Sequence, residues 1–248
     1  MTFKDHFSVA ATGYARYRPT YPAALVDFLV SLTTQHDAAW DVGCGSGQLT
    51  ALLEGRYTHV YATDPSAQQI AQAMQHPTIS YHVASAEASG LTAQSVNLIV
   101  AAQAAHWFAI EAFYTEARRV ARPGAALALV SYSEASTGEP DLDAQLHHYY
   151  SEVVGAYWPP ERSLVETGYQ TLPFPFAEIA VPPLTIALPW ALDNLLGYLD
   201  TWSATTRAEK AEGRTAIDAW RAAFAVAWGV PETVRTMTWQ LAVRAGRM

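Results

Sequence analysis

Three glycines at alternate positions, Gly43, Gly45 and Gly47, followed about 20 residues later by Asp64, have the types and spacing to hold a nucleotide. Glycine reaches backbone angles closed to other residues and lets the main chain approach a ligand with no Cβ in the way. A helix starting at Gln48 would add unpaired N–H groups and the positive end of its dipole. Asp41 ends the apolar run before this turn, and Cys44 lies within it. Asp64 could accept from both hydroxyls of a ribose, with each charge-assisted bond worth roughly 1.5–3 kcal/mol. Asp64-Pro65-Ser66 could equally cap the next helix, and one strand end can do both. A glycine turn between strand and helix also has a purely structural reading.

The elements that must position these residues alternate along the chain. Strand patterns occupy residues 38–42, 57–64, 79–84, 96–102 and 125–133, with helical patterns between them. Such alternation predicts a parallel, doubly wound α/β sheet. Right-handed crossovers then bring all the strand C-termini to one edge, so Gly43, Asp64, Ser85 and Gln103 converge there. A helix is expected over 22–32, a strand over 176–188, two helices over 190–228 and a final strand over 234–243.

The stretch Asp41-Val42-Gly43-Cys44-Gly45-Ser46-Gly47 followed by Asp64 resembles the class I S-adenosylmethionine-dependent methyltransferases. The likeness continues through the third-strand run Tyr81 to Glu87, the fourth-strand run Val96 to Ala102, and Arg119-Val120-Ala121-Arg122-Pro123-Gly124-Ala125 before the fifth. More narrowly, Tyr14-Ala15-Arg16-Tyr17-Arg18-Pro19, Gln103-Ala104-Ala105-His106-Trp107-Phe108 and Thr201-Trp202-Ser203 resemble small-molecule enzymes related to trans-aconitate methyltransferases. The resemblance is dense over residues 10–135 and thin beyond.

It implies a Rossmann-like methyltransferase fold: a mostly parallel seven-stranded sheet with an antiparallel edge strand and a helical lid inserted between the last two strands. It also implies S-adenosylmethionine as cofactor, S-adenosylhomocysteine as product, and a small-molecule acceptor methylated at a carboxylate or hydroxyl oxygen. The chain is expected to form one domain (1–248), with cofactor-closing helices over 1–35, a cofactor core over 36–135 and a substrate-side cap over 136–248. Tyr14 and Arg18 become candidates for the methionine carboxylate, and Ser85, Ala86 and Glu87 for the adenine side. Trp202, Ser203 and Arg207 become candidates for the substrate side. Three departures stand out: Ser85 where an acidic residue is common, Asn97 in place of Asp, and Gly124-Ala125 in place of Gly-Gly.

The exit of the fourth strand bears on the chemistry. It carries neither the Asp/Asn-Pro-Pro-Tyr turn of base-modifying enzymes nor the carboxylates of metal-dependent ones. His106, with an ordinary pKa near ~6.5, is the best-placed titrating group there. It could take a proton from a hydroxyl nucleophile, orient an acceptor that is already ionised, or simply pack. Trp107 and Phe108 are expected to wall the pocket.

Composition narrows the partners. A formal charge of −8 disfavours nucleic acid. A hydrophobic share of 50% with 15% charged residues describes a folded globular chain, and the single cysteine precludes an internal disulfide. No stretch has membrane-spanning length, no metal-ligand spacing is present, and a cytoplasmic location is expected. The sequence leaves the oligomeric state open. Two other readings stay in view: an NAD-dependent oxidoreductase, against which the glycine spacing counts, and a ligand sensor without catalysis.

Overall fold

The structure, a computed structural model, describes residues 17–248. Its centre is β1 (Ala38–Val42) and β4 (Val96–Ala102), whose residues are buried but for the last of β4. Such continuous apolar runs suit parallel strands covered on both faces. Beyond β1 lie β2 (His59–Asp64) and β3 (Ile79–Val83); beyond β4 lie β5 (Ala121–Tyr132) and β8 (Arg235–Arg247). The order is β3-β2-β1-β4-β5-β8-β6, parallel as far as β5 and antiparallel at β8. The chain reverses direction of growth between β1 and β4, and a crevice opens there at the strand C-termini.

Side-chain alternation divides the core into two layers. Leu98, Val100, Ala126, Ala128 and Val130 face one cluster; Val96, Ile99, Ala101, Leu127 and Leu129 face the other. The first layer holds α1 (Ala23–Ser31) through Leu25, Val26 and Leu29; the second holds α4 (Ile110–Val120) through Phe113, Ala117 and Val120. Asn97 shows why aspartate is dispensable at its position. Its Oδ1 accepts the N–H groups of Asp37 and Ala38, both at 3.1 Å, and so pins the start of β1 to β4.

The sheet has eight strands where seven were expected. The strand foreseen over 176–188 is broken into β6 (Ala177–Ile179) and β7 (Leu184–Trp190), and both pair antiparallel with β8. Pro182 and Pro183 lie in the gap and cannot donate to a ladder. Three helices, not two, follow β7: α7 (Leu192–Asp200), α8 (Ser203–Glu212) and α9 (Thr215–Trp228). The extra break falls at Gly213, whose φ of +76° ends α8. Tyr198, Trp202, Trp220 and Phe224 from this region join the first core layer, where Trp202 and Trp220 meet Tyr149, just after α5 (Pro140–His148). Among the described residues no helix is long and apolar enough to cross a membrane.

Candidate functional site

The glycine turn closes the C-terminal end of β1. Gly43, Gly45 and Gly47 have φ of +67°, +55° and +81°, and the N–H groups of Gly43 and Cys44 both reach Thr63 O, at 2.7 and 3.0 Å. A Cβ on Gly43 would lie 2.6 Å from Ala104 Cβ, so the turn touches the β4 exit directly. A Cβ on Gly45 would meet nothing nearer than Gln69 Oε1 at 3.9 Å, leaving backbone open to a ligand. α2 (Gln48–Leu53) begins immediately after.

Asp64 ends β2 and faces the same turn. Its Oδ2 accepts the Gly45 N–H at 2.9 Å and its Oδ1 accepts the Ser66 N–H at 2.8 Å. Ser66 Oγ, next after Pro65, accepts the Gln69 N–H at 3.3 Å and caps α3 (Ala67–Ile70). The strand end therefore combines a helix cap with a carboxylate that braces the glycine turn.

Asp41 is buried beneath the turn, and its carboxyl accepts a 2.6 Å hydrogen bond from Thr50 Oγ1. Burial, with a lesser push from the Asp64 charge, raises its pKa to about 7. The folded state therefore holds this proton more tightly than the unfolded chain. Its stabilising contribution is full below pH ~4 and is lost as pH rises to about 7. An Asp41→Asn variant should gain on wild type by roughly 1–3 kcal/mol between pH 5 and pH 8 in urea denaturation. A stability difference independent of pH would show that Asp41 is ionised throughout. Cys44, beside it, is also pushed up by burial, and its Sγ lies 3.6 Å from Gly45 O.

Across the crevice, β4 ends at Gln103, whose φ of +54° turns the chain sharply into a short 3₁₀ turn, Ala105–Trp107. Gln103, His106 and Trp107 form one side of a cavity. Arg18 and Tyr132 line it from the sheet side, and Tyr198, Trp202 and Ser203 from the helices after β7. Trp158, Pro159 and Arg162 complete it. Among the described residues no carboxylate lines this space.

The two arginines are held differently. Arg18 donates through Nη1 to Tyr132 Oη at 3.2 Å and through Nη2 to Thr201 O at 3.0 Å. Its own carbonyl accepts from Gln48 Nε2 at 3.4 Å, which ties this segment to the glycine turn. Arg162 opens α6 (Arg162–Glu166) and stacks on Trp158 and Tyr150, 4.6 and 5.2 Å from their centroids. Its Nε donates to Tyr150 Oη at 2.8 Å.

His106 stands between them. Its Nδ1 lies 2.9 Å from Tyr169 Oη, and its ring lies 4.8 Å from that of Trp107. Burial, then the charges of Arg162 and Arg18, push its pKa down to about 3. The imidazole is therefore neutral at physiological pH, which corrects the ordinary value expected from sequence. A base this weak has little power to take a proton near neutral pH.

The sequence-predicted site residues fall in two adjoining groups: the glycine turn with Cys44 and Asp64, which touches the β4 exit at Ala104, and Arg18, Gln103, His106, Trp107, Trp202 and Ser203 around the cavity. Phe108 packs on Gly43, 3.4 Å from where its Cβ would be. Ser85 sits in a turn closed by Ala88 N–H to Ser85 O, and Ala86 is buried. Glu87 Oε1 accepts the Ala109 N–H at 2.9 Å and so ties this loop to the start of α4. Arg207 is not brought to the cavity; its Nη1 reaches back to Tyr157 O at 3.5 Å. Tyr14 lies outside the described residues. The sequence reading missed Tyr132, Trp158, Arg162, Tyr169 and Tyr198. The Trp158-Pro159-Pro160 cluster was the one visible sign of that wall.

A mostly parallel sheet with a glycine turn after β1, an acidic end to β2 and a crevice beside β4 defines a Rossmann-like methyltransferase. Comparison with known proteins agrees. A family model described as a methyltransferase domain matches residues 40–129. A Dictyostelium discoideum protein named as a candidate methyltransferase is 32% identical over 205 residues, covering 81% of this chain and 78% of the relative. A solved structure from Anaeromyxobacter dehalogenans, titled as a candidate type II methyltransferase, superposes with a TM-score of 0.86 at 45% identity. It covers 93% of this chain and 98% of its own. The chain belongs to the methyltransferase family. Neither the oxidoreductase nor the sensor reading finds support among these relatives.

Proposed function

We propose that the protein transfers a methyl group from S-adenosylmethionine to an oxygen of a small acidic molecule. The observation that carries this is the cavity beside the β4 exit: among the described residues it holds Arg18 and Arg162 and no carboxylate, in a chain whose formal charge is −8. The Arg162 and Arg18 charges, which add to burial in holding His106 neutral, are the ones that favour an anion.

The residues fit the cofactor. Gly45 leaves open backbone at the turn, Ser46 Oγ there is buried with no hydrogen-bond partner among the described residues, and the Asp64 carboxylate stands at the strand end where ribose hydroxyls would lie. S-adenosylmethionine, when bound, would supply a methyl on a positive sulfonium, whose carbon an acceptor oxygen could bond as the C–S bond breaks and its electron pair returns to sulfur. The chain supplies alignment and exclusion of water, which such a displacement chiefly needs. Trp107, Trp158 and Trp202 keep the cavity dry, while Arg18 and Arg162 orient the acceptor's charge. In this reading residues 36–135 hold the cofactor and 136–248 cap the acceptor, with Arg18, Gln103, His106 and Trp107 joining the cap at the cavity.

The test is incubation with methyl-labelled cofactor and a panel of small mono-, di- and tricarboxylic acids and matched alcohols. Base-labile label, released as methanol, is expected from acids. Label only in base-stable ethers or amines would overturn the assignment to an acid oxygen.

A further inference from the structure

A helix of five residues lies between two side chains near His106, with Arg162 lining the same cavity and Tyr169 in direct contact. α6 starts with Arg162 and ends in a Schellman motif: Gly168 N–H bonds Val165 O at 2.9 Å, and Tyr169 N–H bonds Leu164 O at 2.8 Å. Gly168 has φ of +59°, and Tyr169 follows at +63°, a left-handed angle that is strained for an aromatic residue. Arg244 Nη1 locks this conformation by donating to Tyr169 O at 2.9 Å. The fold thus holds a fully buried tyrosine in a costly backbone state, with its hydroxyl against the imidazole.

The direction of that hydrogen bond follows from what else surrounds the phenol oxygen. In the 3₁₀ turn, Trp107 N–H and Phe108 N–H bond to Ala104 O and Ala105 O. The N–H groups of Ala105 and His106 precede the first of these bonds and find no backbone acceptor among the described residues, and both favour the Tyr169 oxygen as an acceptor. An oxygen approached by two N–H donors has its own proton to give. The acceptor for that proton is Nδ1. A neutral imidazole whose Nδ1 accepts carries its hydrogen on Nε2, and Nε2 has no protein hydrogen bond among the described residues although His106 lines the cavity.

We propose that Tyr169 is a positioning residue that fixes His106 as the Nε2–H tautomer, so that His106 meets the acceptor as a hydrogen-bond donor and not as a base. The acceptor must then arrive already ionised. This role in turnover rests on the methyl-transfer reading above; the tautomer does not.

The experiment is a long-range ¹H–¹⁵N correlation spectrum of the full chain labelled at histidine, with His106 assigned from the signals lost in His106→Gln. A bare Nδ1 and a protonated Nε2, unchanged between pH 5 and pH 8, are expected, with mixed tautomers in Tyr169→Phe. A protonated Nδ1 in wild type, or a doubly protonated ring by pH 6, would overturn the proposal. The wild-type spectrum decides this even if Tyr169→Phe does not fold. Turnover gives a second readout, because the glutamine amide nitrogen reaches the Nε2 position as a donor yet cannot take a proton. His106→Gln should lose less than about tenfold in kcat, and His106→Ala clearly more. Equal values in the two variants would overturn the donor role, and equal losses of ~100-fold or more would point to a base. Should no acid be methylated, the functional reading fails, and the spectrum still decides the tautomer.

Discussion

Asp64→Ala should weaken S-adenosylhomocysteine binding by on the order of 100-fold while leaving the chain folded. Two charge-assisted bonds to ribose hydroxyls, each worth roughly 1.5–3 kcal/mol, exceed that factor even at the low end. Some of the loss will come through the turn, because the same carboxylate accepts the Gly45 N–H at 2.9 Å. Ser66→Ala provides the control. It removes the cap on α3 at a cost of about 1 kcal/mol in stability, with little change in cofactor affinity. Calorimetry and urea denaturation on both variants separate the two roles of this strand end. A dissociation constant unchanged in Asp64→Ala would remove the ribose assignment.

Trp202→Ala should destabilise the fold by roughly 3–5 kcal/mol, the usual range for deleting a large buried aromatic. Trp202 is 5% exposed, and its ring lies 5.3 to 5.9 Å from those of Trp158, Tyr198, Tyr150 and Tyr149. It couples the helices after β7 to the segment after α5, so the cavity wall and the core are one structure here. Loss on that scale is a large part of a typical domain's 5–15 kcal/mol. Trp202→Phe should cost less and retain cofactor binding. A loss under about 1 kcal/mol in Trp202→Ala would show that this wall bears on the substrate alone.

What the sequence revealed follows the range of its interactions. Gly43 to Asp64 is one βα unit plus a strand, and its logic is local: a turn, a helix start and a strand end within about 20 residues. His106 was legible through topology, since any residue just past β4 must lie beside the β1 turn. Tyr169 was not, because it meets His106 across 63 positions and from a left-handed backbone that no periodicity announces. Arg162, in Glu161-Arg162-Ser163, reads as an ordinary solvated charge until Tyr150 and Trp158 are seen against it. The depressed pKa of His106 is likewise a product of assembly, since burial and two distant arginines set it. At the far edge, Pro182 and Pro183 were visible in the sequence, and their inability to donate accounts for the split between β6 and β7.

The most direct measurement is calorimetric titration of the purified protein with S-adenosylhomocysteine, with NAD in a parallel cell. The crevice between the β1 turn and the β4 exit predicts one site of micromolar affinity for the first ligand and no heat from the second. Binding of NAD alone would contradict the account at its root.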